Sequence, residues 1–292
     1  MRLCYDATRF GFGLEEAVAL AVGKAVPALE FTFEPFPVAD EDDRRLSAGE
    51  ETFLAQVRCL FDRHAVDPAV INLDYCLDAQ DRASVREFRY LVSKLARVGR
   101  AIGCRRIGFW LESGGGDEKW RKAVAKALVP AIKECGGHGV RLMLRLSTPS
   151  MYRGRSLRCW RPMHPQDWRD LLSAMPELCL AFSPADCLWQ GIDYLRILPG
   201  FISAVEHVEA IDVEVNQDML KDSGLFGPLW WRYRLPGKGQ IDWAQLVEAL
   251  KLYEFAGSFS VHLDDEFVVS QASELDRSLD FGLACFAALV KG

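Results

Sequence analysis

Eight short apolar stretches recur along the 292 residues, each carrying polar or charged side chains on one alternating parity. The gaps between and after them read as helix. In the last stretch Phe259, Val261 and Leu263 share one side, and Ser260, His262 and Asp264 share the other. Strand side chains alternate faces with a period of two, so each stretch has an oily face for covering helices and a polar face elsewhere. Eight strand–helix units are the recipe for an α/β fold of the (β/α)8 TIM barrel type, whose chemistry sits where the strands end. With no low-complexity segment or linker, residues 1–292 read as one domain.

The strands are expected at about Met1–Ala7, Ala28–Phe33, Ala69–Tyr75, Arg106–Leu111, Arg141–Leu146, Leu178–Phe182, Val208–Val215 and Phe259–Leu263. Helices follow near 14–22, 47–64, 83–102, 117–135, 165–174, 194–206, 243–255 and 270–290. Pro199 should break or kink the 194–206 helix, and Asp242 should cap the helix that begins at Trp243. The segment 34–43 reads as an acidic, Pro-rich loop.

Composition excludes several classes. Half of the residues are hydrophobic and 26% charged, as in a globular protein. The formal net charge of -6 lacks the cationic surplus of a sequence-independent nucleic-acid binder. Nine irregularly spaced cysteines without a C-x-x-C pair predict buried free thiols. With neither a charged leader nor a long apolar run, the sequence predicts no signal peptide, no membrane partner and a cytoplasmic location.

The polar parity supplies candidate lumen residues: Cys4 and Asp6; Glu30, Thr32 and Glu34; Asn72 and Asp74; Trp110 and Glu112; Met143, Arg145 and Ser147; Ser183, with Asp186 beyond; Asp212, Glu214 and Asn216; His262 and Asp264. So many acids at one mouth need cations, metal or shared protons, so some must be solvated rim residues. Asp212 and Glu214, two apart on one expected strand, are predicted to face the same side.

The turn Pro236-Gly237-Lys238-Gly239-Gln240-Ile241-Asp242-Trp243, then a helix, then Phe259–Glu266 resembles the closing unit of the xylose isomerase-like sugar isomerase/epimerase superfamily. Leu29-Glu30-Phe31 resembles its second strand, and Leu180–Asp186 its sixth. The resemblance implies a sugar isomerase or epimerase on a small-molecule carbohydrate. It also implies a divalent metal held at the ends of strands 5 to 8, where this chain has Arg145, Ser183, Asp212 (or Glu214) and His262. Arg145 repels a metal and can stand in for its charge. No metal cofactor is therefore expected at that position; a shifted set of Asp186, Glu214 and His262 would suit Mn, Fe or Zn.

The stretch Met151–Arg161 carries Arg153, Arg155, Arg158 and Arg161 with Tyr152 and Trp160. Guanidinium forks bind carboxylate or phosphate, and aromatic rings stack on sugars. With Arg145 they predict an anionic substrate, a sugar phosphate or sugar acid, although such arginines also pair with an acidic rim or a neighbouring subunit. Glu30, Asp186 and Trp110 join the substrate-binding candidates. The catalytic candidates are Glu214 and Glu112 as base, Arg145 as oxyanion stabiliser, and His262 or Asp264 as second acid/base. The rival reading is a non-catalytic carbohydrate-binding or regulatory barrel. The DNA-repair relatives of the fold fit poorly, because the chain has only five histidines. Trp230-Trp231 reads as a lid, a sugar platform or a subunit contact, which leaves a homo-oligomer open.

Overall fold

The computed structural model of the chain describes residues 1–33, 46–153, 155, 157–158, 163–268 and 271–290. The predicted loop 34–43 and the candidates Glu34, Trp160 and Arg161 lie outside the described residues. Among the described residues ten strands run in chain order: β1 (Arg2–Asp6), β2 (Ala28–Thr32), β3 (Asp67–Leu77), β4 (Arg106–Leu111), β5 (Arg141–Arg145), β6 (Cys179–Phe182), β7 (Val205–Ala210), β8 (Asp212–Val215), β9 (Trp231–Arg234) and β10 (Ser258–Val261). Eight of them close into a barrel in the order β1-β10-β7-β6-β5-β4-β3-β2, while β8 and β9 form a separate two-stranded sheet. This is the (β/α)8 architecture that the alternation predicts.

The helices are α1 (Leu14–Gly23), α2 (Ala48–His64), α3 (Arg82–Ile102), α4 (Glu118–Gly137), α5 (Pro165–Ala174), α6 (Pro184–Trp189), α7 (Tyr194–Ile197), α8 (Gln217–Ser223), α9 (Trp243–Leu252) and α10 (Ala272–Val290). Their starts follow from local chemistry. Ser47 Oγ accepts from Glu50 N while the Glu50 carboxylate accepts from Ser47 N, a reciprocal box that satisfies two donors otherwise left open at a helix start. Asp242 caps α9 by accepting from Gln245 N at 3.0 Å, as expected. Pro199 does end its helix: α7 stops at Ile197 and a 3-10 turn covers Leu198–Gly200. Among the described residues no helix is long and apolar enough to cross a membrane.

The chain divides into two compact units. The first comprises Met1–Gly11, Leu146–Met163 and Ala181–Gly292. In it β10 pairs in parallel with β1 and β7, placing Val261 beside Tyr5 and Ala210. Phe259, Trp243 and Phe286 pack edge to face beneath these strands, with centroids 4.8 to 6.0 Å apart. The second unit comprises Phe12–Arg145 and His164–Leu180. There β2, β3, β4 and β5 pair in parallel, covered by α2, α3 and α4. Phe88 on α3 meets Phe109 on β4 at 5.0 Å. The eight described cysteines are free, and five of them are buried.

One expected strand is two. The stretch predicted at Val208–Val215 breaks at Ile211, whose N–H turns back to the Glu209 carbonyl at 2.8 Å. Barrel strand β7 therefore begins earlier, at Val205, and its polar parity is His207 and Glu209, both fully buried. Asp212 and Glu214 belong instead to the β8–β9 ribbon, opposite Arg234 and Arg232.

Candidate active site

In the second unit, β4 and β5 run side by side, with Trp110 on β4, Glu112 directly after it and Arg145 at the end of β5. Arg145 is the last residue of β5 and only 5% exposed, with its guanidinium 4.2 Å from the centre of the Trp110 ring. A cation over an indole face is attracted by the ring quadrupole and fixed in direction. Gly108 makes the room: a Cβ there would come within 2.7 Å of Asn72 Oδ1 and 3.2 Å of Arg145 Cδ. Asn72 Nδ2 in turn donates to Glu30 Oε1 at 2.6 Å, which orients that buried carboxylate. Glu112 directly follows β4 and is half-buried, and its carbonyl accepts from Trp120 Nε1 at 3.0 Å.

The first unit gathers charge at the ends of β1 and β10. His262 is fully buried, with Nδ1 3.4 Å from Asp264 Oδ2 and 3.5 Å from Asp6 Oδ2. Thr8 holds Asp6 through its N–H at 3.0 Å and its hydroxyl at 2.6 Å. Arg153 pairs with Asp264, donates from Nε to the Thr148 carbonyl at 3.1 Å, and lies over the Tyr233 ring at 5.1 Å. Burial pushes the Asp264 carboxyl up, but the Arg153 guanidinium, helped by His262, overrides it and holds the group well below the usual carboxylate range.

Asp186 is a hub. Its Oδ1 accepts from Thr148 N at 2.9 Å, Thr148 Oγ1 at 2.7 Å and Trp189 Nε1 at 3.1 Å. Its Oδ2 accepts from Ser183 Oγ at 2.6 Å and Tyr233 OH at 2.7 Å. Burial pushes its carboxyl up against the pull of these donors. Asp212 is a second hub, accepting from the N–H groups of Val213, Gly237 and Ile241 and from Trp243 Nε1 at 2.9 to 3.0 Å. It clamps the Gly237–Trp243 turn, and a side chain at Gly239 would run into its carboxylate. The G-x-G-x-I-D-W pattern thus has a structural cause.

The remaining candidates fall elsewhere. Glu214 is gripped by Arg232 at 2.9 and 3.0 Å and also by Arg234; hydrogen bonds from Arg232, then Arg234, outweigh burial and hold its carboxyl below the ordinary range. That makes it a weak base. Arg155 and Arg158 are exposed. Trp230 and Trp231 are both buried, with the Trp231 ring stacked on Trp189 at 4.5 Å, so they form the core beneath the β8–β9 ribbon.

The metal ligands expected at the strand ends do not fit a metal. Arg145 is a cation, Ser183 caps α6 and donates to Asp186, and Asp212 is occupied by the turn. In the shifted set, Asp186 and Glu214 are committed to five donors and two arginines, respectively. Within the first unit, His207 and His262 are both fully buried, with a ring nitrogen of each within 4.8 Å of the other. His207 escaped the sequence reading because it fell between the expected helix at 194–206 and the strand placed at Val208. Thr148, Tyr233 and Ser258 carried no sequence signal at all.

A family model described as xylose isomerase-like TIM barrel matches residues 25–283. No curated protein matches the sequence. Among solved structures, a xylose isomerase domain protein from Alicyclobacillus acidocaldarius is 19% identical, with a TM-score of 0.71 and all of both chains covered. The IolI protein, described with a bound zinc atom, is 15% identical at a TM-score of 0.75, covering 99% of this chain and 98% of its own. A D-psicose 3-epimerase, solved in the presence of D-fructose, is 10% identical at 0.69, with all of both chains covered. At these identities the similarity establishes the fold.

Proposed function

This chain belongs to the xylose isomerase-like TIM barrel family, and on that premise we propose that it is an isomerase or epimerase acting on an anionic sugar, a sugar phosphate or a sugar acid. Arg145 carries the reading. It is a buried cation fixed against Trp110 at the C-terminal end of a barrel strand, the place where this architecture does chemistry. In the proposed reaction Glu112 takes the proton from the carbon next to the carbonyl. Arg145 stabilises the enediolate oxygen that results, and the proton returns to a neighbouring carbon or to the opposite face. Glu214 does not share the base role, because Arg232 and Arg234 hold it ionised and weakly basic. Asp264 stays ionised beside Arg153 and orients His262. The epimerase of the same fold supports a carbohydrate substrate.

Solvent hydrogen exchange tests this reading, because it needs only the first half of the reaction. Sugar phosphates and sugar acids incubated with the protein in D2O should gain deuterium next to the carbonyl. Glu112→Gln preserves size but cannot accept the proton, so exchange should fall by about 10²-fold or more. Exchange that survives Glu112→Gln unchanged removes the base role from Glu112. Binding without exchange by any compound favours the rival reading of a non-catalytic carbohydrate-binding barrel.

A further inference from the structure

Helix α4 ends in the run Cys135-Gly136-Gly137-His138-Gly139. Gly139, at φ +71°, takes the left-handed position that stops the helix, and Val140 N–H returns to the Cys135 carbonyl at 3.0 Å. Gly136 and Gly137 have no such cause. Both are helical, neither has a positive φ, and a Cβ on either would meet nothing within 4 Å. Glycine is the weakest helix former after proline, so the pair weakens the end of α4 without easing any packing. Bare backbone also lets another molecule come close. Gly136 forms part of the wall of a cavity of about 770 Å³ in the second unit, between the C-terminal half of α4, the start of β5 and residues 174–177. Its apolar wall is Val129, Ile132, Val140, Leu142, Met175 and Pro176. Lys133, exposed and three positions before Gly136 on the same helix face, pairs with no carboxylate among the described residues. Arg141 is tied to the wall by Nη2, which donates to the Glu177 carbonyl at 3.3 Å. Two cations thus face one carboxylate, that of Glu177, and the described lining carries a net positive charge.

We propose that this cavity binds a small apolar anion, a carboxylate carried on an aliphatic or aromatic body. The body lies on the apolar wall against the bare backbone of Gly136, and the head group meets Lys133 and Arg141. The volume is in the range of about 300–1,000 Å³ that suits a small organic ligand. A protein partner fits less well, because eleven residues line the cavity whereas a stable protein interface takes about 20–30 on each side. Charge decides the head group: a carboxylate gains charge-assisted hydrogen bonds that a neutral head of the same length cannot make in full. The site is separate from the proposed chemistry, because it lies where β5 begins and Arg145 is the residue where β5 ends. The inference therefore stands or falls without the isomerase reading.

The test is a fluorescence titration with 8-anilinonaphthalene-1-sulfonate, an apolar anion, followed by displacement with decanoate and with decanol. Saturable binding is expected, with decanoate displacing the probe at a concentration lower than decanol by about tenfold or more, the scale of one hydrogen bond to a charged group. Lys133→Gln should remove most of that preference. Gly136→Leu puts a side chain where the ligand lies, so it should weaken probe binding by about tenfold or more. Leucine is also the better helix former, so the same variant should keep or raise the thermal midpoint, which separates a blocked cavity from a damaged fold. If Gly136→Leu does not fold, the surface change Lys133→Gln decides. Arg145→Gln should leave probe binding unchanged. No saturable binding overturns the proposal, as does equal displacement by decanoate and decanol. So does probe binding that a folded Gly136→Leu protein retains, a preference that Lys133→Gln leaves intact, or binding that Arg145→Gln abolishes.

Discussion

The Asp186 hub makes a prediction that separates an acceptor from a charge. Replacing Asp186 with alanine removes the shared acceptor of five donors. Two of them, Thr148 N–H and Trp189 Nε1–H, cannot rotate to accept instead, although Thr148 N also lies 3.0 Å from Tyr233 OH. A buried unsatisfied donor costs about 1–3 kcal/mol, so with two such donors Asp186→Ala should lose roughly 2–6 kcal/mol, a large part of a typical domain's stability. Asparagine behaves differently. Its Nδ2 can take the place of Oδ2, where the partners are the hydroxyls of Ser183 and Tyr233. Both hydroxyls can turn and accept, and the remaining oxygen still serves Thr148 and Trp189. Asp186→Asn should therefore lose only about 1–2 kcal/mol. Burial raises the folded pKa of Asp186, so its contribution is complete below the unfolded value near about 4 and is lost as pH rises through the folded value. Asparagine does not titrate, so the gap to wild type should narrow as pH rises. Urea denaturation of the three proteins measures all of this. Equal losses in the Ala and Asn variants, or a loss below about 2 kcal/mol in Asp186→Ala, would refute the hub.

Two further predictions concern the first unit. Arg153→Gln leaves Asp264 buried without its cation, so at neutral pH denaturation should show a loss of about 3–5 kcal/mol, the scale for breaking a buried pair. The Asp264 pKa is depressed, so its contribution is present above the unfolded value near about 4 and is lost as pH falls through the folded one; wild type and variant should converge in acid, and a pH-independent gap would contradict the pairing. Asp212→Ala removes the acceptor of Gly237 N, Ile241 N and Trp243 Nε1, so amide exchange should accelerate across residues 237–243 ahead of α3; uniform acceleration would show that Asp212 is not a local clamp.

The sequence is most informative where chemistry is local. Alternation in Phe259–Asp264 places His262 and Asp264 on one face, and Asp242 shows as a helix cap, because each depends on residues two or three positions away. Parity fails at Ile211, where the alternation runs on through a turn and makes β7 and β8 look continuous. Asp212 and Glu214 then seem to share a barrel face, and His207 and Glu209 go unseen. The partners of Asp186 are further out of reach, because Thr148 and Tyr233 lie 38 and 47 positions away. Trp230 and Trp231 look like an exposed platform because nothing in their neighbourhood reveals Trp189. Arg145 is the exception, since a fixed cation at the end of an apolar strand stands out in the sequence and is also buried against Trp110 in the fold.

Arg145 is accordingly where the account is most directly tested. Calorimetric titration should compare sugar phosphates and sugar acids with the corresponding neutral sugars, on wild type, Arg145→Gln and the exposed-site control Arg86→Gln. Wild type should bind the anionic compounds more tightly by tenfold or more, about 1.4 kcal/mol per tenfold. Arg145→Gln should abolish this preference and Arg86→Gln should keep it. Equal affinity for neutral and anionic sugars in wild type, or a preference that survives Arg145→Gln, would contradict it.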